Sequence, residues 1–104
     1  MLLRHAIGAV LRRLRLEHGK TLRELSESSR ISLPYLSEIE RGRKEASSEI
    51  LASLCRVLEV SEPELLARVS AEFARREVTL AASVFELPRP AASSADRAPQ
   101  LLAA

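Results

Sequence analysis

A chain of 104 residues has room for one domain and none for a second, catalytic one. Its apolar content is mainly Leu, Ala, Val and Ile, with Tyr35, Phe73 and Phe85 as its aromatic residues, so the core must be aliphatic and helix-built; the single cysteine, Cys55, excludes an internal disulfide. The net charge of +2 hides an asymmetry, with ten Lys or Arg against five Glu from Met1 to Lys44 and six Arg against nine acids from Glu45 onward, so a polyanion would meet the first half.

Ile7, Val10, Leu11 and Leu14 follow the spacing of one buried helix face, and Gly19, with His18 before it, closes that helix. Thr21 and Glu24 have capping-box spacing, which predicts a second helix from Leu22 to about Ser29. Arg30-Ile31-Ser32 then makes a tight connection. Ser32 caps a third helix over Leu33 to Arg41 that tolerates Pro34 in its first turn and stops at Gly42. Gly42 to Ala46 reads as a polar, basic loop. Ser47 or Ser48 caps a fourth helix burying Ile50, Leu51, Leu54, Cys55 and Leu58. Ser61-Glu62-Pro63-Glu64 opens a fifth, with Leu65, Leu66 and Val69 turned inward.

Ala71 to Leu87 carries Phe73, Val78, Leu80, Ala81, Val84 and Phe85 without Gly or Pro, which reads as an extra helix or a continuation of the fifth. Pro88 to Pro99 is rich in Pro, Ala and Ser without periodicity and is expected to be disordered along with the rest of the tail. The expected organisation is thus a helical domain at 5–69, a C-terminal helix at 70–87 and a tail at 88–104.

Several function classes have no foothold. Met1 to His5 is too short and too soon charged for a signal peptide, and no run approaches the ~18 apolar residues of a membrane span, so a cytoplasmic protein is expected. His5 and His18 lie far from Cys55 in sequence, which argues against a metal site, and Cys55 on an apolar helix face reads as core filler. No glycine loop or strand-turn-helix motif accompanies the Ser, His and acidic residues, so neither an enzyme nor a cofactor is expected.

Two short helices joined by three residues let the first brace the second, which then projects. Leu25, Ile31, Leu36 and Ile39 fall on the inner side of this pair, and Pro34, Tyr35, Ser37, Glu38 and Arg41 on the outer side. Leu25-Ser26, Ile31-Ser32 and Leu36-Ser37-Glu38-Ile39-Glu40-Arg41-Gly42 closely resemble the Cro/phage-repressor type of helix-turn-helix, and the likeness runs from Ile7 to about Leu66. Within that family, Tyr35 to Glu49 is similar to the signature of the actinobacterial Clp protease gene regulators.

The resemblance implies an all-α, five-helix, lambda-repressor-like DNA-binding domain that regulates transcription, as an activator of Clp protease and related genes. It also implies a substrate of the protease so controlled, since Leu102-Ala103-Ala104 is similar to the tail such proteases accept. Two positions depart from the family. Arg30 stands where Gly is usual and costs about 1 kcal/mol in a left-handed turn. Leu22 stands where Gln often contacts a phosphate, leaving the backbone amides at Thr21 and Leu22 to hold an anion at the helix N-terminus.

Because the early turns of a recognition helix lie deepest in the groove, Pro34, Tyr35, Ser37 and Glu38 are expected at the bases, with Ser32 also at the DNA, whereas Arg12, Arg23, Arg41, Arg43 and Lys44 suit phosphates. Glu40, at the negative end of its helix, needs a cation, and the family implies a buried pair for which Arg15 is the candidate. A homodimer on a pseudo-palindromic operator is expected, with Phe73, Val78, Leu80, Val84 and Phe85 as its contact. The alternative reading is a protein-interaction module, an antitoxin or adaptor, that turns the third helix toward a protein.

Overall fold

The computed structural model describes residues 2–85, with side chains placed through residue 78. The expected tail at 88–104 and the side chains of Leu80, Val84 and Phe85 lie outside the described residues. Five helices follow in order: α1 (Leu3–Glu17), α2 (Leu22–Ser29), α3 (Leu33–Glu40), α4 (Ser48–Leu58) and α5 (Glu62–Phe85). There is no strand among the described residues.

The core is aliphatic. Val10, Leu11 and Leu14 of α1 meet Leu25, Leu36, Ile39, Leu54, Leu58, Leu65 and Val69, all essentially removed from water, with Cys55 buried among them. Burial, with Glu62 nearby, pushes the Cys55 thiol pKa up, which keeps it protonated and inert. The helices close a ring: α1 packs on α3 and α5, α2 on α3 and α4, and α4 on α5.

Side chains and short turns define where each helix starts and ends. α1 begins at Leu3, ahead of the apolar stripe, where His5 Nδ1 accepts the Leu2 N–H at 3.1 Å and satisfies a donor that the apolar periodicity does not register. Its end is a Schellman motif: Gly19 adopts φ 68°, its N–H reaches Leu16 O, and Lys20 N–H reaches Arg15 O. α3 ends the same way at Gly42, with Gly42 N–H to Ile39 O and Arg43 N–H to Glu38 O, so Arg41 is the cap instead of the last helical residue. α2 and α4 close on left-handed residues with side chains, Arg30 at φ 63° and Glu59 at φ 59°. Ser47, not Ser48, caps α4, its hydroxyl accepting from Ile50 N.

α5 corrects one expectation and resolves another. Leu66 is 62% exposed: Leu65 and Val69 already define the inward stripe, and the next residue along a helix is rotated about 100° away from it. The helix runs unbroken from Glu62 to Phe85, so the segment after Val69 continues the fifth helix. Phe73 packs partly against its own core, while Val78 is 66% exposed.

Candidate nucleic-acid interface

Capping residues fix the helix-turn-helix. Thr21 Oγ1 accepts from Glu24 N at 3.0 Å, and Glu24 Oε1 accepts from Thr21 N at 2.9 Å. In the turn, Ser29 Oγ donates to Leu25 O and accepts from Ile31 N, Ser26 Oγ donates to Ile31 O, and Ser53 Oγ on α4 donates to Ser29 O. These hydroxyls hold the backbone around Arg30 and so compensate for a residue that enters the left-handed region at a cost. Ser32 Oγ then accepts from Tyr35 N, and α3 departs with Pro34 in its first turn.

The inner stripe of α3, Leu36 and Ile39, is sealed against the core. Ser32 and Pro34 lie exposed on the other side, Tyr35, Ser37 and Glu38 are half-exposed, and Arg41, Arg43 and Lys44 follow in the exposed turn and loop. Glu38 Oε2 lies 3.7 Å from an Arg43 guanidinium nitrogen, a loose exposed pair that a base or phosphate can displace. The Tyr35 hydroxyl donates to Glu45 O at 2.9 Å, which the sequence pattern does not reveal. That bond, with the Arg4–Glu45 ion pair at 3.5 Å, tethers the loop that carries Arg43 and Lys44.

Beneath α3 lies a buried ion pair. Arg15 Nε and one terminal nitrogen donate to the two Glu40 oxygens at 2.8 and 3.0 Å, and the other terminal nitrogen donates to Lys20 O at 2.9 Å. The carboxylate raises the Arg15 pKa further, so the guanidinium stays charged despite burial. Above the pair opens a cleft of about 180 Å³ lined by Arg12, Arg15, Leu22, Ser37, Glu40 and Arg41, where the start of α2 meets the side of α3. The first amides of α2 lack intrahelical partners, so this cleft combines a helix N-terminus with cations. Arg12, Arg23, Arg41 and Lys44 have no ion-pair partner among the described residues.

Two features were not legible from residue types. Gly8, inside α1, sits where a Cβ would clash with Ile39 O and come within 2.8 Å of Glu40 O, so its lack of a side chain sets how closely α1 approaches the end of α3. Glu72 on α5 is nearly fully buried and gathers Arg13 at 3.1 Å, Arg75 at 2.8 Å and Arg76. The spacing of Glu72, Arg75 and Arg76 was readable as a helical i, i+3, i+4 set. Arg13, from a helix 59 positions away, was not. Among the described residues no group of His, Cys, Asp or Glu is placed to hold a metal, and no helix is long and apolar enough to cross a membrane.

Residues 11–65 match the helix-turn-helix family model. The chain is 50% identical over 76 residues to the transcriptional regulator ClgR of Mycobacterium tuberculosis, covering 73% of this chain and 68% of that one. It superposes on the crystal structure of the clp gene regulator ClgR from Corynebacterium glutamicum with a TM-score of 0.79 at 47% identity, over 82% of this chain and 90% of that one. A tetramer of the restriction-modification controller protein C.Esp1396I in complex with its natural 35 base-pair operator is similar at a TM-score of 0.64 and 28% identity, over 69% of this chain and 95% of that one. The sequence, the capped α2-turn-α3 unit and these likenesses agree: the chain belongs to the helix-turn-helix family of transcription regulators and is not an enzyme.

Proposed function

We propose that the protein is a homodimeric, cytoplasmic activator of Clp protease genes that sets α3 into the major groove of a pseudo-palindromic operator. Pro34, Tyr35, Ser37 and Glu38 face the bases in this reading, and Ser32 meets the DNA where α3 begins. Arg12, Arg23, Arg41, Arg43 and Lys44, with the amides at Leu22 and Arg23 that the Thr21–Glu24 capping box leaves open, take the phosphates. The observation that carries it is the division of α3 into a sealed apolar stripe and a polar outer face, with Arg12, Arg23, Arg41 and Lys44 lacking ion-pair partners among the described residues. A helix used on a protein partner would carry apolar anchors on that outer face, and the only ring there, Tyr35, has its hydroxyl committed to the loop. The Clp target rests on likeness to the ClgR proteins.

Dimerisation would place two reading helices about 34 Å apart, one helical turn of DNA. Val78 and the apolar residues after it on α5 are proposed as the contact, with Phe73 contributing only the part of its ring that its own core leaves uncovered. Degradation by the Clp protease itself is a further proposal resting on Leu102-Ala103-Ala104. Footprinting on genomic fragments tests the reading: two protected half-sites one turn apart upstream of Clp genes support it, and an absence of protection refutes it. Ultracentrifugation of Val78→Glu tests the dimer, which this substitution should dissociate.

A further inference from the structure

We infer that a second anion cleft, formed by Arg12 and Arg13 of α1 and Arg76 of α5, holds a backbone phosphate of DNA flanking the segment that α3 reads. The inference rests on the DNA-binding reading and extends the contact surface beyond the helix-turn-helix, onto the long fifth helix. The cleft, about 440 Å³, is lined by Ala9, Arg12, Arg13, Leu16, Glu40 and Arg76. It shares Arg12 and Glu40 with the cleft beside α3, so the two clefts adjoin at these residues.

Charge is what makes the second cleft a binding site. Each of its acids is already committed: both Glu40 oxygens are taken by Arg15, and Glu72 below is taken by Arg13, Arg75 and Arg76. Glu72 is also hidden. Its side chain is 2% exposed, whereas those of Arg13 and Arg76 are 47% and 38% exposed, so the anion lies inside and the cations meet solvent. Of the cations that line the cleft, Arg13 and Arg76 share one carboxylate, which leaves one positive charge in excess, and Arg12 beside them, with no ion-pair partner among the described residues, adds a second. A guanidinium has five N–H donors, so Arg13 and Arg76 can hold Glu72 and still offer donors outward. Glu72 therefore acts as a positioning residue that aims these arginines, and the occupant that fits is a phosphodiester.

The test measures the salt dependence of affinity for a random-sequence duplex of about three helical turns, by fluorescence anisotropy. Each lost phosphate contact flattens the slope of log K against log salt by about 0.9. Arg13→Gln and Arg76→Gln are each expected to flatten it by about that amount, and Arg76→Lys to restore it. Arg68→Gln is the control for net charge, since Arg68 lies on the same helix but pairs with Glu17 and Glu64 away from the cleft; its slope should stay near wild type. Equal flattening by Arg68→Gln and Arg76→Gln, or a wild-type slope for Arg76→Gln while Lys44→Ala flattens it, overturns the cleft and leaves the DNA reading standing. Failure of the wild-type protein to bind the duplex at all overturns that reading as well. Unfolding curves on the same samples establish that each variant is folded.

Discussion

Arg15 and Glu40 meet face to face, two parallel hydrogen bonds of 2.8 and 3.0 Å joining the last turn of α1 to the last residue of α3. With side chains only 10% and 6% exposed, the pair fixes the angle at which the reading helix stands, and its third bond, to Lys20 O, ties in the turn that leads to α2. Removing one partner leaves the other charged and buried, at a typical cost of about 3–5 kcal/mol. Glu40→Gln and Arg15→Met should each lose stability of that order in urea unfolding. Replacing both with apolar residues should cost less than the sum of the two single losses, because no charge is stranded.

The left-handed residue Arg30 offers a gain. At φ 63° a glycine avoids the clash between Cβ and backbone, while loosening the unfolded chain by a smaller amount. Arg30→Gly should raise stability by about 0.5–1 kcal/mol. An unchanged or lower Tm would mean that the serine hydroxyls around the turn, not the backbone region, decide its energy.

Gly8 should behave oppositely to its helix propensity. Alanine normally gains about 1 kcal/mol over glycine inside a helix, yet here its Cβ would press on the backbone carbonyls of Ile39 and Glu40, which have no flexible end to move aside. Gly8→Ala should therefore destabilise by about 1–3 kcal/mol. It should also weaken DNA binding, since the end of α3 must shift.

Glu72 gives a pH signature. Its hydrogen bonds to Arg75, Arg76 and Arg13 lower its pKa from 4.5 to about 2 in the folded chain. A carboxylate with a depressed folded value adds stability that is fully present above the unfolded value and is lost as pH falls through the folded one. The stability difference between wild type and Glu72→Gln should hence be constant from pH 7 to about 5 and shrink as the pH is lowered from 4.5 toward 2. A difference that does not change with pH over that window would mean the carboxylate is not held in its charged form.

The sequence made the fold legible wherever a local rule governs. Thr21 with Glu24, Ser32 with Pro34, and Gly19 and Gly42 as stops all mark helix ends through contacts within a few residues, and the apolar stripes named most of the core. What escaped was set by distant partners or by rules without a residue signature. Nothing near Glu59 announces a left-handed cap, and Leu66 has the same chemistry as Leu65 but stands one step off the stripe. The Tyr35 to Glu45 bond uses a backbone carbonyl that no pattern of side chains reports, and Gly8 matters only because α3 ends over it.

In the proposed complex the outer face of α3 reads bases while the cations around it hold phosphates. Selection of bound duplexes from a random library, run in parallel on wild type, Ser37→Ala with Glu38→Gln, and Lys44→Ala, tests it most directly. The altered reading face should change or relax the preferred sequence, at about 1–3 kcal/mol for each base position affected, while Lys44→Ala should keep the preference and lose affinity for all sequences alike. An unchanged preference after altering Ser37 and Glu38, or a changed one after altering Lys44, would contradict the account.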